Sequence, residues 1–190
     1  MPEVVNSAAI SVENLVYATL TDDALNTYGT VTPVAPLINI KVTPASSSAV
    51  LYADGRAVER ATALGEIGVE FEVQDLPLPV QAGLLGHALD PLTGVMVYNV
   101  DDIAPYVALG FKIKKANGKY RHIWLLKGNF EELSEEAATQ ADKVAFSTPK
   151  LKGGFIVRED GNWKFTADDD EGTTPPADFL GTVYSPVVIP

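Results

Sequence analysis

The chain has no cysteine in its 190 residues. That excludes a disulfide framework, thiolate catalysis and a zinc–thiolate site. Histidine occurs only at His87 and His122. Basic residues are scarce: 14 Lys and Arg stand against 25 Asp and Glu, for a formal net charge of −11. A surface that grips nucleic acid needs a basic patch to neutralise phosphates, so the acidic balance argues against that function class. It permits a surface past which nucleic acid slides without sticking. No apolar run approaches the roughly 20 residues of a membrane helix. The opening MPEVVNSAAI holds Glu3 and no basic residue, so no signal-peptide n-region is expected, and the lack of cysteine is compatible with cytosolic synthesis. There is no Gly-x-Ser-x-Gly, no P-loop and no metalloprotease helix.

What is present is β-strand pattern, organised around Gly65 to Asp90. Ile67, Val69, Phe71 and Val73 alternate with Glu66, Gly68, Glu70, Glu72 and Gln74. Period two predicts a strand with one dry face and one wet, acidic face. The period then changes. Val80, Leu84, Leu85, Ala88 and Leu89 recur at helical spacing, with Pro77 and Pro79 suited to a first turn and Asp90-Pro91 as the stop. The principal helix is therefore expected near Pro79–Leu89, covering the dry face of the preceding strand. Gly83 and Gly86 suggest close approach to a sheet.

Elsewhere the chain reads as strand and loop. Residues 1–13 look like an entry segment and Asn14–Leu20 like a first strand. Leu37–Val42 alternates with Ile38, Ile40 and Val42 inward, and Thr43–Ser48 reads as a soft loop. Asp54-Gly55-Arg56 marks the tip of a hairpin too polar to be core, so it projects. Asn117-Gly118 joins the clearest hairpin, whose second arm places Tyr120, His122, Trp124 and Leu126 on one face and Arg121, Ile123, Leu125 and Lys127 on the other. Glu131–Asp142 reads as an acidic helix or loop, Lys143–Thr148 and Leu151–Arg158 as strands, and Asn162–Ala167 as another after the Asp160-Gly161 turn. From Gly172 the texture changes. Prolines 175, 176, 186 and 190 prevent helix, and Phe179, Leu180, Val183, Tyr184, Val187, Val188 and Ile189 are too apolar for a free tail. Residues 172–190 are expected to leave the domain of residues 1–171 as an extended arm that docks on a neighbouring subunit, hinged at Asp168–Glu171.

No active site emerges. His87, near the end of the helix, and His122, beside Trp124, read as structural. Asp168–Glu171 has carboxylates enough for calcium but lacks the spaced ligands and distal glutamate of an EF-hand loop, so it reads as a solvated turn. Glu70 and Glu72 share a wet strand face without an acid–base partner. Trp124 and Trp163 read as core and not as sugar platforms. The expected class is a mainly antiparallel β-sandwich or barrel with one flanking helix, no catalytic residue, no cofactor and no metal.

Several stretches in this order resemble the major tail protein, the tail tube subunit, of long-tailed phages with non-contractile tails. They are TYGTVTPVAPLINIKV, LYADGRAVERA, GVEFEVQDLPLPVQAGLLGHALDPLTGVMV and KYRHIWLLKGNFEELSEEAATQADKVAFSTPKLKGGFIVREDGNWK. The resemblance covers most of Asn14 to Phe165 and rests on the order and spacing of several motifs, none specific alone. It implies a β-sandwich that self-assembles into stacked hexameric rings, with no catalysis and no membrane. The ring lumen would hold a tape-measure protein and then let genomic DNA pass without specific binding. The tube would end on tail terminator and distal tail proteins, placing the chain in the virion tail after synthesis in the host cytoplasm. A wall of carboxylates would repel DNA, whose charges recur about every 1.7 Å, so Glu70 and Glu72, with Glu66, are the expected lumen-facing residues. The other class considered is a β-sandwich carbohydrate-binding or adhesin module.

Overall fold

A computed structural model of the chain describes residues 7–134, 147–169, 175 and 178–186. The chain is mainly β and antiparallel, with one helix among the described residues. In order, the elements are β1 (Ala9–Asp22), β2 (Thr27–Tyr28), β3 (Thr32–Pro33), β4 (Leu37–Ala53), β5 (Arg56–Val73), α1 (Leu78–Leu85), β6 (Ala88–Leu89), β7 (Met96–Val97), β8 (Val107–Lys115), β9 (Tyr120–Phe130), β10 (Lys150–Phe155) and β11 (Lys164–Asp168). One sheet runs β2-β1-β8-β9-β10-β5-β4, with β11 also on β9 and β3 on β1. Side chains of β1, β5, β8, β9 and β10 meet in one core, so this sheet curls over on itself as a sandwich. β6 and β7 pair separately.

The period-two stretch forms the strand it predicts. Ile67, Val69, Phe71 and Val73 are all buried in that core, and α1 covers them with Val80, Leu84 and Leu85. Each such side chain contributes roughly 1.5–3 kcal/mol by burial, an upper bound because unfolded chains already hide some surface.

The helix is shorter than its apolar spacing suggests. Gly86 takes a left-handed conformation (φ 82°) and its N–H donates to the Ala82 carbonyl, which closes the helix four residues before Asp90. Ala88 and Leu89 are consequently strand, paired with Val97 and Met96. Of the two glycines read as sheet contacts, Gly83 is one: a Cβ there would lie 2.0 Å from the Tyr17 hydroxyl of β1. Gly86 instead terminates the helix.

Three other boundaries move because pairing partners lie far away in sequence. Ala9–Glu13, read as part of an entry segment, pairs with Lys112–Lys115 and extends β1. Thr43–Ser48, read as a loop, is continuous strand paired with β5, with a register shift at Pro44/Ser46 where proline lacks an N–H. A second shift at Leu37/Asn39 turns Leu37 and Ile40 toward the core and leaves Ile38 exposed.

The hairpin β8–β9 is buried on both faces. Ile123 and Leu125 enter the main core, whereas Trp124 and Leu126 form a second cluster with Ala108 and Phe179. The two-face reading of this arm matches the structure. Its turn differs from the type with two positive φ values: only Gly118 (φ 80°) is left-handed, in a three-residue loop closed by Lys115 and Lys119.

Candidate functional site

Two surfaces carry the sequence-derived expectations, and both are built by β5. The first is the far half of the β4–β5 hairpin. Asp54 (φ 51°) and Gly55 (φ 76°) both take positive φ, as a two-residue turn of the favoured mirror-image type demands, and Arg56 pairs with Ala53 beside it. Every residue from Thr43 to Glu66 is exposed. At about 3.3 Å per residue, the paired strands from Pro44 to Ala53 extend roughly 30 Å past the core. Val50, Leu51, Tyr52, Val58 and Leu64 stand exposed on this extension, outside the core. β4 ends the sheet, so among the described residues its outer backbone edge is also unpaired.

The second surface is the wet face around Glu66, Glu70 and Glu72. Glu66 and Glu70 are exposed and Glu72 is half-buried. Residues directly opposite in antiparallel strands share a face. Glu70 stands between Lys41 of β4 and Lys152 of β10, and Glu72 between Asn39 and Lys150. Lys150 Nζ lies 3.8 Å from Glu72, and Thr148 Oγ1 donates to the same carboxylate. Across β4, β5 and β10 this face therefore sets three lysines against three glutamates. The acidity read from β5 alone is offset by its neighbours.

The histidines are both held by carboxylates. His87, only 7% exposed, lies just beyond the helix with Nδ1 2.8 Å from Asp102 Oδ2 and Nε2 3.1 Å from Glu132 Oε1. Its ring packs 4.5 Å from that of Tyr98. The Asp102 hydrogen bond raises the His87 pKa above its ordinary value, against an opposing effect of burial, and Glu132 adds to the rise. His122 Nε2 lies 3.1 Å from Asp169.

Asp168 and Asp169 do not form a solvated hinge. Asp168 is buried and ion-paired with Lys115 and Arg121, and Asp169 accepts from the Tyr120 N–H as well as facing His122. Lysine and arginine occupy the charge that a calcium ion would have to satisfy. Asp170 and Glu171 lie outside the described residues, as do 143–146 of the expected strand before β10. Among the described residues no group of three or more His, Cys, Asp or Glu could hold a metal ion, and no helix is long and apolar enough to cross a membrane.

The arm takes a seat the sequence did not assign to it. Phe179 is 6% exposed against its own chain, and Trp124 Nε1 donates to the Phe179 carbonyl at 2.7 Å. Tyr184 stacks on Phe179 and meets Phe165 edge-on, while Leu180 and Val183 pack on the same cluster. These four residues, expected on a neighbour, cover the outer face of β8–β9 in their own subunit. The physical reason is the buried Trp124 face, which needs both apolar cover and an acceptor for its N–H. Val187, Val188 and Ile189 lie outside the described residues.

Sequence reading missed one surface. The excursion from Ala88 to Asp101 exposes Leu92, Val95, Val97, Tyr98 and Val100, with Leu92 and Val100 over 90% exposed. The only signal was the apolar run after the Asp90–Gly94 turn, a stretch that reads as a short strand from Val95 to Asn99 with no face assigned. Against known proteins, no protein family matches this chain, and no curated protein does.

Proposed function

We propose that this chain is a self-assembling structural subunit, the major tail tube protein of a long-tailed phage, building stacked hexameric rings around a channel for DNA. The observation that carries self-assembly is the projecting hairpin. A long edge strand bearing exposed Val50, Leu51 and Tyr52 is an aggregation hazard in a free monomer. It is an asset where another copy covers it. A contact between unlike surfaces of identical subunits is heterologous, and it closes into rings or propagates as a filament. The resemblance over Asn14 to Phe165 supplies the tube as the particular assembly.

In this reading the face of Glu66, Glu70 and Glu72 lines the channel. With Lys41, Lys150 and Lys152 beside them, the wall is close to neutral. Paired charges of both signs leave little net field to hold a polyanion, so passage without binding follows from balance more than from repulsion. The tape-measure, terminator and distal tail proteins are the further partners of that reading.

Size-exclusion chromatography with light scattering, followed by negative-stain imaging, tests it. Rings or tubes of constant diameter are expected. A protein that stays monomeric across concentration and salt, and binds a glycan, would instead make it a binding module.

A further inference from the structure

The excursion 88–101 is a loop with its ends pinned together. At its start are Gly86 and His87; at its return are Asp102 and Ile103. The Ile103 carbonyl lies where a Cβ on Gly86 would stand. Asp102 closes the return turn by accepting from the Asn99 N–H at 2.9 Å and faces His87 Nδ1 at 2.8 Å with the same oxygen. Both groups belong to the loop base. The second ring nitrogen points the other way, to Glu132 just past the end of β9, 3.1 Å from Oε1 and 3.3 Å from Oε2. That contact joins the loop base to the sheet.

Ionised carboxylates only accept hydrogen bonds. A ring with a carboxylate at each nitrogen must donate from both, which only the imidazolium can do. We propose that His87 is a pH-sensitive latch: as an imidazolium it ties the base of loop 88–101 to Glu132, and on losing its proton it releases that tie. Neutral His87 keeps one N–H, best used on Asp102, and turns a lone pair toward the Glu132 carboxylate. Glu132 is exposed and free to swing away into water.

The groups facing the ring all favour the charged form. From the loop these are Asp102 and the Tyr98 ring; from the chain after β9, Glu132. The folded-state pKa is raised above the unfolded value of about 6.5. The tie is therefore fully present below about pH 6.5 and is lost as pH rises through the folded value. What it controls is how rigidly Leu92, Val95, Tyr98 and Val100 are presented. The latch does not depend on the tube assignment.

Exchange mass spectrometry reads both ends of the device in any assembly state. Exchange of the imidazole Cε1 hydrogen reports the His87 midpoint, with His122 as an internal comparison. Amide exchange of the 88–101 segment, corrected for the rate of an unfolded peptide of the same sequence, reports the loop. The His87 midpoint should lie above 6.5, and loop protection should fall about tenfold through it, the scale of one charge-assisted hydrogen bond. Glu132→Gln should lower the midpoint and flatten the loop's response, because an amide can accept from the charged ring or donate to the neutral one. Glu132→Ala should leave the loop loose at every pH. A His87 midpoint at or below 6.5 would overturn the latch. So would loop protection that does not change through the midpoint, or that changes identically in Glu132→Gln.

Discussion

Two hairpins in this molecule share a topology and differ in almost everything else. β8–β9 is covered on both faces, by the sandwich core on one side and by Phe179, Leu180, Val183 and Tyr184 on the other. The far half of β4–β5 is covered on neither. An isolated two-stranded hairpin is marginal in water, so the second depends on its rooted half, Ile67 to Val73, and on its turn. One hairpin holds the fold together. The far half of the other extends from it, and the exposed apolar side chains there lie outside the core.

The comparison breaks most visibly at Trp124, whose ring is fully buried and whose N–H is satisfied by the arm. Trp124→Ala should cost about 3–5 kcal/mol by urea denaturation, a large part of the roughly 5–15 kcal/mol of a typical domain. A loss below about 1 kcal/mol would mean that the second cluster contributes little.

Phe179→Ala tests the same face from the arm. About 3 kcal/mol is expected, at the lower end for a phenylalanine because the ring lies at the edge of its cluster. Trp124 fluorescence should shift to the red as water reaches it. Unchanged fluorescence with normal stability would return the arm to a role between subunits.

Replacing residues 48–62 by Asn-Gly removes the projecting half and rejoins the strands at Ser47 and Ala63, which are paired. Monomer stability should change by less than about 1 kcal/mol, since no core side chain is lost. Assembly seen by light scattering should disappear. Tubes of normal length from this variant would show that the hairpin is not the contact.

The smallest effect belongs to Gly55→Ala. Its φ of 76° is strained for any residue with a Cβ, and open space around it adds no clash. About 1 kcal/mol of strain follows. It should appear as faster amide exchange near the tip and leave the urea midpoint in place, because the tip can open without unfolding the core.

Much of this architecture is legible in the sequence alone. The alternation Ile67–Val73, the break into a helix, the Asp54-Gly55 tip and the two faces of the arm Tyr120–Lys127 are each encoded within a dozen residues. The illegible parts share one cause. Whether Thr43–Ser48 is loop or strand depends on β5, about 20 residues away along the chain. Whether β5's glutamates make an acidic wall depends on Lys41, Lys150 and Lys152, two of them on a strand some 80 residues later. Where Phe179 goes depends on Trp124, 55 residues earlier.

Periodicity and turn chemistry are local, set by side-chain direction and by the φ a residue tolerates, and they decided the fold class, the projecting tip and the dry face of β5. Charge balance, the seat of the arm and the His87 bridge belong to the tertiary structure alone. Each requires groups that are distant in sequence to meet within a few ångströms, and only the curled sheet brings them there.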